Sequence, residues 1–239
     1  MLAAVENLLV ALSRTTTLKN IKVFKEDIPE DLLIYFRKSG FVLVDTETTG
    51  LNLMRDQVCT VQLSDGIGVH LIIQINANDG WISENLKSLL MNPAVEKIFH
   101  HAMFDVSMIY SSLGYMTSNF RCTKLMSKIV RTYANNHSLQ ELSLELLDKH
   151  RDKKIRQSSW FVEELTQKQI QYALADVKYL LEIYNKLQEM IEARGMLRSG
   201  FTCQQLSKHA HEAMQNIIPL VTSGYGDPDT FDIGWLFKY

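Results

Sequence analysis

The sequence predicts an α/β fold in which a mixed sheet is flanked by helices. Short apolar runs rich in β-branched residues dominate the first half of the chain, and helical periodicity dominates the second half. Two of these runs flank Asp65-Gly66, which predicts a hairpin and, with the strand before it, three successive antiparallel strands. The 239 residues are 46% hydrophobic and 22% charged, which is the composition of a globular protein able to bury a large core.

Strands and helices can be assigned along the chain from these periods and from their end signals. The predicted strands span residues 21–24, 41–44, 57–64, 68–75 and 95–99, the first of them at a sheet edge. The predicted helices span residues 28–39, 81–91, 104–113, 123–132, 138–147, 166–194 and 201–221. Gly40, Gly114 and Gly195 follow helix ends, while Ser138 and Thr166 precede helix starts as N-caps.

Composition and the N-terminal stretch bear on location. Residues 1–12 are mostly apolar, but they lack the basic start of a secretion signal and are too short to span a bilayer. We expect them to form an amphipathic helix that packs on the body or on another subunit, with a membrane or targeting role as the alternative. Cys59, Cys122 and Cys203 are odd in number and lack metal-site spacing, which predicts a reduced, cytoplasmic protein. The net charge of −2 requires any nucleic acid to be held by a local patch.

The residues after the predicted strand at 41–44 carry the first candidate chemistry. Asp45 and Glu47 stand two apart, so on a strand both carboxylates project from the same face. Two such charges repel each other unless a cation lies between them, and oxygen ligands select hard ions such as Mg²⁺ or Mn²⁺. The alternative is a strand that ends in a polar turn, where Gly50 supplies a positive φ.

Two later segments supply further candidates. Asp105 follows a predicted strand exit and begins a helix, where an acid often only offsets the helix dipole. Tyr172 and Asp176 lie four apart in the predicted helix 166–194, so the phenol and the carboxylate share one face beside an apolar stripe. Each of these segments alone is a weak signal, because such acids and Tyr-Asp pairs are common.

Together the three segments resemble the motifs of the DEDD superfamily of 3′-5′ exonucleases, in the DEDDy subclass that carries a tyrosine in its last motif. They stand in order as Val44-Asp45-Thr46-Glu47-Thr48-Thr49-Gly50-Leu51, His101-Ala102-Met103-Phe104-Asp105 and Tyr172-Ala173-Leu174-Ala175-Asp176. The resemblance implies a ribonuclease H-like sheet with the acids at one edge. It implies an exonuclease domain at 21–195, preceded by a helical extension at 1–20 and followed by a C-terminal helix and tail at 196–239.

Within the superfamily the sequence is most similar to ribonuclease D and, more narrowly, to nanoRNase C. Ribonuclease D has stretches similar to residues 157–160 and 175–180, and nanoRNase C adds matches at 52–63, 97–100 and 122–133. Two features depart from the pattern, because this chain begins about twenty residues earlier and Met103 stands where a basic residue is expected. Ribonuclease D also carries C-terminal helical domains for long RNA, for which this chain has no room, so the resemblance favours a short substrate.

The resemblance implies phosphodiester hydrolysis with two divalent cations, Mg²⁺ or Mn²⁺, about 4 Å apart. Asp45, Glu47 and Asp176 would hold one cation, and Asp45 would share the second with Asp105. Tyr172 would position the attacking water, although a normal phenol is a poor base near pH 7. The products would be 5′-mononucleotides and a shortened strand.

Substrate contacts are implied less directly. Leu51 would wedge against the terminal bases, with an ordinary turn hydrophobe as the alternative. His100 would contact the terminal ribose or phosphate, unless it is only a hydrogen-bonded residue at a strand end. Lys124, Lys128 and Arg131 recur at helical spacing, either as a basic stripe for phosphates or as a solvated helix face. The remaining candidates are Thr48, Phe104, Gln157 and Trp160, the last two on a loop expected to border the site.

The expected function is that of a 3′-5′ exoribonuclease acting on short single-stranded RNA, dinucleotides included. A ribonuclease D-like trimmer of structured RNA or a DNA exonuclease would carry the same motifs. A fold used only to bind nucleic acid would be expected to lack a motif residue, and all five are present here. The likeness to nanoRNase C also implies a homo-oligomer in the form of a ring-shaped octamer.

Overall fold

The computed structural model describes residues 21–25, 27–75, 83–150 and 159–225, and these form a six-stranded mixed sheet flanked by helices. The strands are β1 (Ile21–Lys25), β2 (Phe41–Thr48), β3 (Val58–Ser64), β4 (His70–Gln74), β5 (Glu96–Phe99) and β6 (Phe120–Cys122). Their order in the sheet is β1-β4-β3-β2-β5-β6. β2, β3 and β4 pair antiparallel, whereas β1, β5 and β6 pair parallel to their neighbours. The predicted fold class, the three antiparallel strands and the edge position of β1 are confirmed.

Helices cover both faces of this sheet. They are α1 (Glu30–Ser39), α2 (Glu84–Leu90), α3 (Ala102–Leu113), α4 (Thr123–Val130), α5 (Leu139–Leu147), α6 (Gln167–Lys178), α7 (Leu180–Arg194) and α8 (Cys203–Leu220). α1, α2 and α3 pack on the face to which Val44 of β2 contributes. α6 packs on the opposite face, where its Val177 lies in a cluster with Leu43. Because neighbouring residues of a strand face opposite ways, Asp45 and Glu47 share the α6 face with Leu43.

One prediction is wrong, because residues 166–194 do not form a single helix. α6 ends at Lys178 and α7 begins at Leu180, with Tyr179 between them at φ −105° and ψ 2°. Neither Pro nor Gly interrupts this stretch, so the local pattern gives no sign of the break. The break lets α6 cross β2, β3 and β4 while α7 packs against α4 and β5. Tertiary packing therefore overrides an uninterrupted helical period.

Several boundaries also differ from the predicted ones. The sequence does not reveal β6, because three residues are too few to show a strand period. α4 ends at Val130, two residues before the predicted end, and α2 begins at Glu84. The predicted N-terminal helix at 1–12, the tail at 226–239 and residues 81–82 lie outside the described residues.

The three cysteines, Cys59, Cys122 and Cys203, are buried free thiols. Such buried thiols pack as small apolar side chains of the core. Within the described ranges, no helix combines the length and the apolarity needed to cross a bilayer.

Helix α8 is fixed to the sheet by a buried histidine. His211 Nε2 accepts a hydrogen bond of 2.8 Å from the backbone N–H of Cys122, at the end of β6. His211 Nδ1 donates to the carbonyl oxygen of Ser207 at 2.7 Å. The neutral imidazole is therefore the form that fits, because Nε2 can accept only while it carries no proton. Burial lowers the pKa of His211, and the charge of Arg121 lowers it further.

We expect the stability of the fold to decrease between pH 7.5 and pH 5.5. The unfolded His211 takes up a proton near its ordinary pKa of 6.5, whereas the folded one, with its lowered pKa, resists protonation. His211→Gln should remove up to about 1.4 kcal/mol of this pH dependence, measured by urea unfolding at both pH values. His209→Gln, at an exposed position of the same helix, should retain the wild-type dependence. An unchanged dependence in His211→Gln would contradict this role.

Candidate active site

Three carboxylates converge at the end of β2. Asp45 and Glu47 project from one face of this strand, and Asp176 reaches them from α6. One ligand atom of each residue lies within 4.8 Å of the others, and all three residues are half-buried. Like charges this close repel each other, so the arrangement favours a bound cation or the uptake of protons. The structure thus brings together three of the four acids that the sequence predicts.

A β-bulge lies directly beside this cluster. Glu47 pairs with Thr60 of β3, but the next residue, Thr48, pairs with Val58, so Cys59 is left as the extra residue. Bulges bend a strand and re-aim its side chains, and they are frequent next to active sites. Sequence reasoning missed this feature, since neither Gly nor Pro marks the position.

The fourth acid, Asp105, lies in the first turn of α3 and is only 3% exposed. Its Oδ1 accepts a hydrogen bond of 2.7 Å from Thr46 Oγ1, which projects from β2 on the face away from Asp45. The pKa of Asp105 is raised to about 7, chiefly by burial and also by the charge of Asp176, while the hydrogen bond from Thr46 opposes the rise. Among the described residues, the group that meets within 4.8 Å does not include Asp105. The site therefore consists of three clustered acids with a fourth acid nearby.

Tyr172 lies one turn before Asp176 on α6, as the spacing predicts. Its ring packs against that of Trp160, with the ring centroids 6.0 Å apart and the planes at 43°. Trp160 is only 5% exposed and belongs to a buried cluster with Cys59. The tryptophan therefore supports the phenol ring and has little of its own surface in contact with solvent. Gln157, the other candidate on this segment, lies outside the described residues.

The loop after β2 has a tightly bonded backbone. Thr48 Oγ1 donates to the carbonyl oxygen of Gly50 at 2.6 Å, and the backbone N–H of Asn52 donates to Asp56 at 2.8 Å. A Cβ atom at Gly50 would lie 2.4 Å from Asp56 Oδ2, so a side chain at this position would displace the Asp56 carboxylate from its bond to Asn52. Gly50 is not among the described residues with a positive φ, so the alternative based on its φ is wrong.

This loop exposes two large apolar side chains. Leu51 is 73% exposed and Met54 is 70% exposed. Both side chains are therefore available for contact with a ligand that lies beside the acid cluster. The sequence prediction named Leu51 and did not name Met54.

The two histidines at the exit of β5 have different surroundings. His100 Nδ1 lies 2.9 Å from Thr123 Oγ1, which fits the alternative of a hydrogen-bonded strand end. His101 stacks on Phe104, with the ring centroids 6.3 Å apart, and its Nε2 lies 3.5 Å from Lys124 Nζ. Burial, together with the charges of Lys124 and Lys128, lowers the pKa of His101 to about 4. The sequence analysis did not name His101 as a site residue, although its position as the first residue of the second motif could have indicated one.

One of the three residues that were predicted to form a basic stripe does not belong to it. Lys124 is half-buried and Lys128 is exposed on α4, but Arg131 is fully buried. Arg131 forms an ion pair with Glu145 of α5 and donates to Ser127 Oγ at 2.9 Å. A carboxylate on another helix is not visible in helical spacing, which explains the error. The stripe is therefore reduced to two lysines.

The donor set of the cluster fits a hard divalent cation. Carboxylate oxygens are the ligands that Mg²⁺ and Mn²⁺ prefer, and those of Asp45, Glu47 and Asp176 can reach a common point. In the part of the chain that the structure describes, this group contains neither histidine nor cysteine, which disfavours zinc. Asp105 offers a further carboxylate close to Asp176.

The mixed sheet, the acid cluster and the adjacent tyrosine are features of a nuclease that removes nucleotides from strand ends. The chain belongs to the 3′-5′ exonuclease family, whose model matches residues 20–192. This match confirms the predicted superfamily and the predicted enzyme class, a hydrolase of phosphodiester bonds.

Within this family, the chain is similar to individual ribonuclease D proteins. Ribonuclease D of Bartonella henselae is 30% identical over 166 residues, which are 68% of this chain and 39% of that protein. This chain spans less than half the length of the ribonuclease D relatives that it matches.

Several solved structures are similar to this protein over most of its length. NrnC of Brucella melitensis is 33% identical and has a TM-score of 0.77, covering 87% of this chain and 95% of NrnC. Structures of the same protein with bound Mg²⁺ and bound to pGG give TM-scores of 0.75 and 0.71, each over 86% of this chain. RNase D of Escherichia coli, with a TM-score of 0.65 and 22% identity over 81% of this chain and 50% of that chain, shares the fold. These matches confirm the predicted resemblance to ribonuclease D and nanoRNase C and the ribonuclease H-like fold.

Removing one charge from the cluster should stabilise the metal-free protein. In EDTA, we expect Asp45→Asn to raise the midpoint of thermal unfolding by about 2–4 °C, which corresponds to relief of about 1 kcal/mol of repulsion. Mn²⁺ should raise the midpoint of the wild type and leave that of the variant nearly unchanged.

The matched control is Glu192→Gln, at an exposed position of α7, which should follow the wild type under both conditions. A lower midpoint for Asp45→Asn in EDTA, or an undiminished response of this variant to Mn²⁺, would show that Asp45 is not part of a repulsive cation site.

Proposed function

We propose that this chain is a metal-dependent 3′-5′ exoribonuclease that hydrolyses short RNA, dinucleotides included, and releases 5′-mononucleotides. The observation that carries the proposal is the convergence of the Asp45, Glu47 and Asp176 carboxylates within 4.8 Å, with Tyr172 on the same helix as Asp176. The likeness to NrnC over most of both chains supports it, as does the capture of that protein with Mg²⁺ and with pGG.

Four acids form the cation site in this proposal. Asp45, Glu47 and Asp176 would hold one divalent cation, Mg²⁺ or Mn²⁺, and Asp105, which accepts a hydrogen bond from Thr46 in this structure, would hold a second one together with Asp45. When bound, such cations stabilise the negative charge that develops on the phosphate and on the leaving oxygen. While no cation is present, the carboxylates repel phosphates and so disfavour the binding of nucleic acid.

Tyr172 orients the attacking water through its hydroxyl group. The packing of its ring on Trp160 supports this role, because a phenol held by a buried indole keeps a fixed direction. The phenol does not need to be the final proton acceptor, since its ordinary pKa lies far above neutral pH. Trp160 is thus a positioning residue that acts through Tyr172.

The substrate lies against the loop after β2 and the exit of β5. Leu51 packs against a terminal base, and Met54 adds apolar surface next to it. Thr48 contributes by holding the loop through its bond to Gly50. Lys124 binds a phosphate near the stack of His101 on Phe104, while His100 reaches the terminal ribose.

A second candidate function is the trimming of structured RNA 3′ ends, or the hydrolysis of DNA. The 30% identity with ribonuclease D of Bartonella henselae supports it, and the catalytic acids would be the same. The deciding experiment is hydrolysis of 5′-labelled RNA and DNA strands of two to twenty nucleotides with Mg²⁺ or Mn²⁺. Slow turnover of the dinucleotide beside rapid trimming of a structured RNA would favour this candidate.

Location, assembly and domain limits remain predictions. Buried free thiols at Cys59, Cys122 and Cys203 support a cytoplasmic protein. The exposed Met196 and Phe201 provide apolar surface for contacts between subunits, as the predicted octameric ring would need. The exonuclease domain is placed at 21–195, with extensions at both ends.

Tyr172→Phe should reduce the rate of hydrolysis by roughly 10²-fold or more, because the ring still packs while the hydroxyl that orients water is lost. The measurement is the single-turnover rate on a dinucleotide, together with the rise in unfolding midpoint on adding Mn²⁺, which should be retained. Tyr184→Phe removes a phenol that donates to Glu96 outside the site and serves as the control. An unchanged rate for Tyr172→Phe would show that this residue only packs.

The preference of the enzyme for short or long RNA follows from the number of lysine side chains along the proposed substrate path. Lys124 and Lys128 can neutralise few phosphates, so binding should depend weakly on salt. We expect kcat/KM for a dinucleotide to equal or exceed that for a 20-mer.

The salt dependence should reveal the contribution of one lysine. Lys124→Ala should reduce the slope of log kcat/KM against log salt by about 0.7 on the 20-mer, while Lys38→Ala, at an exposed position of α1, should not change it. A steep slope combined with strong preference for the 20-mer would move the protein to the second candidate function.

A further inference from the structure

A row of polar side chains crosses the sheet from the acid cluster to the edge. Glu47 of β2 pairs with Thr60 of β3, and Thr60 pairs with Gln74 of β4. Gln74 in turn pairs with Lys25 of β1, at the edge of the sheet. Directly paired residues project to the same face, so the row lies on the face that α6 partly covers. Gln74 lies two strands from Glu47, about 10 Å away, because neighbouring strands are about 4.8 Å apart.

At the edge end of this row the structure has a cavity of about 420 Å³. Lys25 and Gln74 line it from the sheet, and Trp160, Phe161 and Val162 line it from the segment before α6. This volume lies within the range of small-molecule sites. The cavity contains none of the four acids, so it is separate from the candidate active site.

Gln74 gives the cavity a buried hydrogen-bond acceptor. The side chain is 8% exposed, and its Nε2 donates to the carbonyl oxygens of Val162 and Glu163. These two bonds fix the orientation of the amide, so its Oε1 atom points away from the carbonyls. None of the described residues donates to this oxygen. A buried acceptor without a donor is unfavourable, and a ligand that carries an N–H group would satisfy it.

The segment that lines the cavity is fixed at both ends. Gln74 bonds it at Val162 and Glu163, and Gln169 Nε2 donates to the carbonyl oxygen of Ser159 at 3.0 Å. Gln169 is held by the capping box with Thr166 at the start of α6. This wall of the cavity is therefore fixed by hydrogen bonds, and binding would not have to order it.

The other lining groups define the shape and charge of a ligand. Phe161 is 47% exposed and offers an aromatic face beside the buried Trp160. Lys25 is exposed at the rim and offers a positive charge, while Glu163 can accept hydrogen bonds from hydroxyl groups. A flat ring with an N–H edge, hydroxyl groups and an anionic substituent meets all of these groups at once.

We propose that this cavity is a nucleotide-binding site. The base stacks on Phe161 and donates an N–H to Gln74 Oε1, as the amino groups of guanine, adenine and cytosine can do. The ribose lies near Glu163, and the phosphate pairs with Lys25. The ligand is either a free mononucleotide or a base of the substrate strand, and only the second source rests on the proposed function.

Binding of GMP to the metal-free protein tests the site, because in EDTA the acid cluster repels phosphate and contributes little binding of its own. By calorimetry, GMP should bind at one site, and ribose 5-phosphate, which lacks the base, should not. Phe161→Ser should weaken GMP binding at least about fivefold through loss of stacking. Lys25→Ala should also weaken it.

Two control variants match these changes. Met91→Ser removes an apolar side chain of similar exposure elsewhere, and Lys22→Ala removes a lysine on the opposite face of β1. Both should bind GMP as the wild type does. The proposal is overturned if the wild type does not bind GMP, if ribose 5-phosphate binds as tightly as GMP, or if Phe161→Ser leaves GMP binding unchanged.

Hydrolysis of RNAs of two to six nucleotides with Mn²⁺ then identifies the source of the ligand. An increase in KM for Phe161→Ser that appears only above a certain length identifies a base of the substrate strand. Equal KM values for variant and wild type at every length identify a free mononucleotide. If the wild type failed to hydrolyse any of these RNAs, the proposed function would be wrong while the GMP result would still stand.

Discussion

The packing of Val177 in α6 against Leu43 in β2 is the contact on which the acid cluster depends. Leu43 and Asp45 share one face of the strand, and Val177 directly follows Asp176, so burial of the apolar pair brings the carboxylates together. Ile98 and Leu180 are buried in the same cluster, and at about 1.5–3 kcal/mol for each side chain the burial of these four residues outweighs the roughly 4 kcal/mol by which two unit charges 4 Å apart repel at an effective dielectric of 20. The core therefore holds the acids in an arrangement that a cation would relieve.

The parts of this site that could be predicted from sequence are those that depend on backbone periodicity alone. The spacing of Asp45 and Glu47 places two carboxylates on one strand face, and the spacing of Tyr172 and Asp176 places two groups on one helix face. The Thr166 cap follows the same logic, because its partner Gln169 lies only three residues away. Each of these inferences needs only the geometry of a single element, and the break at Tyr179 lies outside all three pairs.

Features that depend on partners far along the chain could not be predicted in this way. Arg131 has the spacing of a surface stripe, but Glu145 and Ser127 draw it into the interior. Tyr179 interrupts an unbroken helical pattern because α6 and α7 pack against different parts of the sheet. The bulge at Cys59 arises from the register between two strands, which no single strand specifies. In all three cases the deciding interaction joins two elements.

Trp160 lies between the candidate active site and the cavity at the sheet edge. One side of its indole ring packs against Tyr172, and the residue also lines the cavity at the sheet edge. The candidate active site and the cavity therefore share one buried wall, which Gln74 and Gln169 hold through backbone carbonyls on either side. A substitution at Trp160 would disturb both at once, and its effect on either could not be separated. Phe161 and Lys25 lie on the exposed rim, where a side chain can be removed without disturbing the wall behind Tyr172.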